Sequence, residues 1–219
     1  MLYIVSTPIG NLKDITFRAV EVLKEVDLIA AEDTRHVQKL LNRYEIKKPV
    51  LSYHSYSGQA KLDKLAEALE EGKEIALVSD AGTPGISDPA YALIQKAIEL
   101  GVQIVPVPGP SALLAALVAS GMPMDKFVYL GFLPLKKGRQ KIIQSIPEYK
   151  KTVVLFEAPH RIEKLLSELR ENLGGDFHIS LCRELTKIHE EIFRGTVDEA
   201  ITHFEKKKPK GEFVVLLHS

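Results

Sequence analysis

Ser79-Asp80-Ala81-Gly82-Thr83-Pro84-Gly85-Ile86-Ser87-Asp88-Pro89 stands between the apolar run Ile75-Ala76-Leu77-Val78 and a segment, Tyr91 to Leu100, whose apolar spacing is helical. A strand, a turn rich in Gly, Pro and Ser, and then a helix form the repeating unit of a parallel sheet. The order places backbone amides at the carboxyl edge of that sheet, where open α/β sheets bind ligands. Gly82 and Gly85 carry no Cβ, so a flat ligand can approach the main chain there. A plain connection does not need a turn of this length and kind, so the segment reads as a binding loop.

Outward from this turn, strand-like and helix-like runs alternate. Leu2–Ser6, Leu28–Ala31, Glu74–Val78 and Gln103–Val107 read as strands, and Ile15–Val26, Thr34–Tyr44, Leu62–Leu69, Tyr91–Leu100 and Ser111–Ser120 as helices. Such alternation predicts βαβ units and a mostly parallel sheet. Pro106, Pro108 and Pro110 bracket the turn into the last of these helices, with Ser111 as its cap. At Gly121-Met122-Pro123-Met124 the pattern resets. Beyond it, Val128–Phe132, Thr152–Phe156, Phe177–Cys182 and Phe213–Leu217 read as strands, Ile162–Leu173 and Val197–Phe204 as helices, and Lys136-Lys137-Gly138-Arg139 as a basic loop. The expectation is an α/β chain of two domains: residues 1–121, with a mostly parallel sheet and flanking helices, and residues 122–219, of α+β type.

Composition narrows the function. The chain has 219 residues, 45% apolar and 26% charged, as in ordinary globular proteins. Its formal charge is zero and its pI about 7.1, which argues against gripping naked nucleic acid by bulk charge but allows a local basic face. Cys182 is the single cysteine, so no intrachain disulfide forms, and a reduced, cytoplasmic setting fits. No signal peptide and no membrane-spanning run is read, so no membrane partner is expected. His36, His54, His160, His178, His189, His203 and His218 lack the spacing of a helical zinc pair, and no metal site is predicted. The nucleophile elbow of the α/β hydrolases is missing too.

Four segments are candidates for chemistry. Ser6-Thr7-Pro8-Ile9-Gly10-Asn11-Leu12 follows the first strand without either glycine-rich phosphate fingerprint, and Pro8 removes a backbone donor, so NAD and ATP are disfavoured. It is a binding turn or a plain one. Glu32-Asp33-Thr34-Arg35-His36 either orients a hydroxyl or phosphate, or caps a helix through Asp33 or Thr34. In Phe156-Glu157-Ala158-Pro159-His160-Arg161, Pro159 sits where a helix would begin, and the helix dipole disfavours Arg161 in a first turn, which favours a site over a surface turn. The run Arg183 to Glu191 mixes both charges, as a solvated ion-pair face does. Two basic clusters, Lys136, Lys137, Arg139 and Lys141, and Lys206, Lys207, Lys208 and Lys210, are soluble loops singly. Together they offer the electropositive face that an RNA backbone requires.

Taken in order, Thr7-Pro8-Ile9-Gly10-Asn11-Leu12, Glu32-Asp33-Thr34-Arg35, residues 79–89, Pro108-Gly109-Pro110-Ser111-Ala112, Gly131-Phe132-Leu133-Pro134, Phe156 through Arg161 and Arg183-Glu184-Leu185-Thr186-Lys187 resemble one family closely. That family is the bacterial small-subunit ribosomal RNA methyltransferases I, a branch of the tetrapyrrole methylase superfamily that includes precorrin methyltransferases and diphthine synthase. The likeness runs over essentially the whole chain. It implies a two-domain tetrapyrrole-methylase-like fold with S-adenosyl-L-methionine in the interdomain cleft, a homodimer, and 2′-O-methylation of a cytidine in the decoding centre of small-subunit ribosomal RNA. By the same resemblance the cofactor contacts are Pro8, Ile9, Gly10, Asp80, Gly82, Thr83, Ile86, Ser111, Ala112, Phe132, Glu157 and Leu185. Thr83 stands where many tetrapyrrole enzymes have Asp, a departure shared with the ribosomal branch. On the acceptor side, Arg35 or Lys187 would stabilise the oxygen charge, and Glu32, Asp33 or Glu184 would receive the proton. Arg35, His36, Lys136, Lys137, Arg139, His160 and Arg161 would meet the RNA.

The chemistry agrees with the likeness. S-adenosylmethionine carries a sulfonium and no phosphate, so the apolar turn at Pro8 and Ile9, with backbone groups of Gly82, Ser111 and Ala112, suits it better than a phosphate cradle would. Other readings are a methyltransferase acting on a tetrapyrrole or a modified protein side chain, and a non-catalytic ribosome-binding factor that keeps the fold. A nicotinamide oxidoreductase is disfavoured by the missing fingerprint.

Overall fold

The computed structural model describes residues 1–54, 58–88, 90–205 and 210–218. The chain divides into two compact units, Met1–Ser111 and Ala112–Ser219. The first contains β1 (Leu2–Val5), α1 (Phe17–Glu25), β2 (Leu28–Ala31), α2 (Thr34–Arg43), β3 (Val50–Ser52), α3 (Gln59–Glu70), β4 (Ile75–Val78), α4 (Tyr91–Glu99) and β5 (Ile104–Val107). Its sheet has the order β3-β2-β4-β1-β5, and every pairing is parallel.

Alternation along the strands splits the core of this unit in two. Val5, Ile29, Ala31, Ala76 and Val78 pack with Leu23 of α1 and Leu40 of α2. Leu2, Ile4, Ala30, Ile75 and Leu77 pack with Leu65 of α3 and Leu93 of α4. The topology explains the split. The connections leaving β1 and β2 lead toward the β3 edge, and those leaving β3 and β4 lead back toward β5. Right-handed crossovers that run in opposite directions lie on opposite faces. β1 and β4 are therefore neighbours whose outgoing chains part to opposite faces, and their carboxyl ends form the crevice in which such sheets bind ligands.

The second unit holds α5 (Ala112–Ser120), β6 (Phe127–Phe132), α6 (Arg139–Ser145), β7 (Thr152–Glu157), α7 (Ile162–Leu173), β8 (His178–Arg183), β9 (Glu191–Thr196), α8 (Val197–Glu205) and β10 (Phe213–His218). Its sheet runs β6-β7-β10-β8-β9, with β6 and β7 parallel and the other pairings antiparallel. Val153, Leu155, Ile179, Leu181 and Val215 bury one face under α6, α7 and α8. The other face meets α5, where the Cys182 thiol donates to the Ala116 carbonyl at 3.9 Å.

Three elements depart from the sequence expectation. β3 and β9 are strands where none was predicted, and the supposed basic loop ends at Arg139, which opens α6. Pro159 does not start a helix. It lies within the turn closed by the Arg161 N–H on the Ala158 carbonyl at 2.9 Å, in the position proline favours, and α7 begins at Ile162.

Candidate functional site

The ends of β1 and β4 are stitched together. Thr7 N–H donates to the Gly82 carbonyl at 2.9 Å, and Gly82 N–H donates to the Thr7 carbonyl at 3.0 Å. The Ser6 and Thr83 hydroxyls are 2.8 Å apart, and the Thr7 hydroxyl donates to the Ser79 carbonyl at 3.1 Å. Gly82 adopts φ +78°, a backbone conformation that favours glycine, while an added Cβ would meet Ile9 and the Pro110 carbonyl at ordinary contact distance. This corrects one expectation. The Gly82 amide is bound to Thr7 and is not available to a ligand.

Beside this bridge lies a pocket of about 220 Å³ lined by Thr7, Pro8, Gly10, Leu12, His36, Val37, Lys39, Leu40, Ser79 and Asp80. The pocket thus brings together three of the expected cofactor residues, Pro8, Gly10 and Asp80, with the expected RNA contact His36. Ile9 is buried beneath the turn, and Ile86 stays exposed on the loop. Ser111 ends the first unit, and Ala112 opens α5.

The capping role of Asp33 is realised. Its carboxylate accepts the Arg35 N–H at 2.8 Å at the start of α2 and pairs with the Arg35 guanidinium at 2.8 Å. Those contacts with Arg35 hold its pKa down at about 2. The Asp33 N–H in turn donates to Asp80 at 3.0 Å. Glu32 behaves in the opposite way: burial first, and the adjacent Asp80 charge second, raise its pKa. Asp88, absent from the sequence expectations, joins them. Burial and the charge of Glu32 push its pKa up to about 6, against the pull of a hydrogen bond from Ser79. Its preceding residue, Ser87, sits at φ +69°, a conformation non-glycine residues rarely hold. A carboxylate three residues after Gly85 was the available signal.

The Asp88 shift has a consequence for stability. Its folded pKa lies above the ordinary value, so between about pH 4 and 6 the folded chain binds more protons than the unfolded one, and stability falls as pH rises through that window. Asp88→Asn is expected to raise the melting temperature at about pH 8 and to change it little near pH 4. Thermal melts across that range check this; an equal shift at both ends would contradict it.

In the second unit the expected residues separate into two groups. Glu157, Arg139 and Arg161 belong to a buried ion network. Arg139 is 3% exposed and Glu157 1%. Arg139 Nε meets Glu168 Oε2 at 2.6 Å, Arg139 Nη2 meets Glu157 Oε2 at 3.4 Å, and Arg161 Nε meets Glu157 Oε1 at 3.0 Å. The Ala158 N–H also donates to Glu157, at 2.9 Å. Arg139 is therefore corrected as an RNA contact: its charge is consumed inside the unit. Lys136, Lys137 and His160 are exposed. Of the second basic cluster, Lys206, Lys207 and Lys208 lie outside the described residues.

The other group is the loop after β8. Lys187 Nζ is held by Glu184 at 2.8 Å and by Glu212 at 2.9 Å. Burial opposes the ammonium charge, but the two carboxylates outweigh it and raise the Lys187 pKa. Burial likewise opposes ionisation of Glu184, yet the Lys187 and Glu212 N–H donors hold its pKa down. Glu184 (φ +52°) and Thr186 (φ +65°) are both left-handed, and Leu185 between them is buried. Such conformations cost energy and persist where the surrounding contacts hold them. Glu212 was missed because it lies far along the chain, just before β10. No group of side chains among the described residues is arranged to hold a metal ion, and no helix among them is long and apolar enough to cross a membrane.

Residues 1–201 match the family model described as Tetrapyrrole (Corrin/Porphyrin) Methylases. The chain is 50% identical over 218 residues to a Thermotoga maritima protein named Ribosomal RNA small subunit methyltransferase I, covering 99% of this chain and 97% of that one. It is 48% identical to a Synechocystis protein of the same name, covering 99% of this chain and 78% of the relative. Among solved structures it resembles a diphthine synthase with a TM-score of 0.75 at 17% identity, over 99% of this chain and 89% of that one. The fold, the switch-point site and these likenesses agree: the chain belongs to the tetrapyrrole methylase family of methyltransferases, on the branch of the ribosomal RNA small subunit methyltransferases I.

Proposed function

We propose that this protein transfers the methyl group of S-adenosyl-L-methionine to the ribose 2′-hydroxyl of a cytidine in small-subunit ribosomal RNA. The observation that carries the reading is the crevice at β1 and β4. Its lining combines the uncharged Thr7, Pro8, Gly10 and Leu12 with His36, Lys39 and Asp80, and the carboxylates of Glu32 and Asp88 lie close enough to Asp80 to feel its charge. The three carboxylates favour a ligand carrying a sulfonium and an ammonium. The names of the 44–50% identical relatives support ribosomal RNA as the acceptor.

The cofactor supplies a methyl group already activated by its positive sulfur. The protein's task is alignment, which can contribute roughly 7–11 kcal/mol to lowering a barrier, and management of the hydroxyl proton. Pro8, Ile9, Gly10, Thr83 and Ile86 would hold the cofactor. Glu32 and Asp88 are the fitting proton acceptors, because their raised affinity for protons brings them closest to the operating pH. Asp33 and Glu184 are held too acidic for that role and serve instead as cap and clamp. Lys187, kept charged, would stabilise the developing alkoxide. Exposed Arg35, His36 and His160 would meet the RNA. A homodimer and a cytoplasmic location, both implied by the family resemblance, complete the proposal.

Methyl-labelled cofactor offered with small ribosomal subunits or with uroporphyrinogen tests the reading. Label is expected in the subunit RNA alone. Label in the tetrapyrrole, or a chain that calorimetry shows binding no S-adenosylmethionine, would contradict it.

A further inference from the structure

Phe132 lies at the carboxyl end of edge strand β6 and is 52% exposed. In regular alternation Tyr129 and Phe132 would point to opposite faces. They do not. The ladder to β7 pairs Tyr129 with Val154, Gly131 with Leu155 and Phe132 with Phe156, so Leu130 is an extra residue. Gly131, at φ +61°, supplies the backbone conformation that this bulge needs. The bulge turns Phe132 onto the face of Tyr129. Both rings then stand edge-on to Phe156, with centroids 5.7 Å and 5.2 Å from it.

The chain beyond the ring is anchored as well. Arg161 donates to the Leu133 carbonyl at 2.7 Å, and Arg139 to the Pro134 carbonyl at 3.4 Å. Two arginines from the ion network thus fix the loop that carries exposed Lys136 and Lys137. A protein gains nothing from leaving a large ring in water on a strand bent to aim it. An aromatic face followed, along an anchored stretch of chain, by two exposed cations suits a single-stranded nucleotide, which stacks its base and pairs its phosphates.

We propose that Phe132 is a stacking platform for an unpaired nucleotide of the RNA substrate, with Lys136 and Lys137 holding the flanking phosphates. The bulge at Leu130–Gly131 and the ladder of three rings are what aim it. This inference rests on the proposed RNA acceptor and assigns Phe132 to the RNA rather than to the cofactor expected from the family resemblance.

The test measures binding of the full-length chain to purified small ribosomal subunits for the native protein, Phe132→Ala and Phe132→Trp, alongside sedimentation and methyl transfer. Phe132→Ala is expected to weaken binding about tenfold, as loss of one stacked base does. Phe132→Trp should restore it, and sedimentation should be unchanged. Lys136→Ala with Lys137→Ala should lower the slope of log affinity against log salt by about two. Native binding by Phe132→Ala overturns the platform while leaving the methyltransferase reading intact. A changed sedimentation coefficient overturns it in favour of a second copy of this chain as the occupant. An unchanged salt slope removes the phosphate contacts. A native protein that methylates no subunit overturns the acceptor, and this inference with it.

Discussion

Replacing Glu157 by alanine is expected to destabilise the second unit by about 3–5 kcal/mol, the cost of breaking a buried ion pair from one side. The carboxylate is 1% exposed and accepts from Arg139, Arg161 and the Ala158 N–H. Removing it leaves Arg139 with Glu168 and the Pro134 carbonyl, and Arg161 with the Leu133 carbonyl but no carboxylate among the described residues. Stability of folded domains is a margin of about 5–15 kcal/mol, so a loss of this size moves the unfolding midpoint by well over ten degrees. Urea and thermal unfolding of Glu157→Ala check it. A native midpoint combined with lost cofactor binding would return Glu157 to the cofactor role implied by the family.

Replacing Lys187 by alanine is expected to lower the rate of methyl transfer by about 10²–10³, the effect of deleting one preorganised group from a developing oxyanion. Cofactor affinity should stay within about twofold. Glu184 and Glu212 both neutralise and fix the ammonium, so it stays charged through the neutral range and sits in one place. A group arranged in advance stabilises charge without reorganising at the moment of reaction. Single-turnover transfer and calorimetry with S-adenosylmethionine separate the two quantities. An equal loss in both would make Lys187 a cofactor ligand.

Much of the first unit was legible because its strands are four-residue apolar runs buried on both faces, as in Ile75–Val78, and its helices carry one apolar stripe. β3 was not, since Val50-Leu51-Ser52 is too short for a periodic signal. β9 was hidden by charge: Glu191 and Arg194 are edge-strand residues whose partners, Arg183 and His203 for the first and the α5 carbonyls for the second, come from elsewhere in the unit. Arg139 looked like part of a basic loop. The missed clue was its register with Ile143 and Ile146, four and seven residues on, which share its buried face. Spacing alone could not show that Glu32 sits close enough to raise the pKa of Asp88, because β4 lies beside β2 only once the sheet order is known. Nor could alternation reveal a bulge, which breaks alternation by definition.

The most direct measurement is mass mapping of nuclease digests of small-subunit RNA after incubation with this protein and methyl-labelled S-adenosylmethionine. A single labelled 2′-O-methylcytidine, absent when the protein is omitted, is the predicted result. Label on a base, label scattered over many riboses, or unlabelled RNA in the presence of bound cofactor would contradict the assignment.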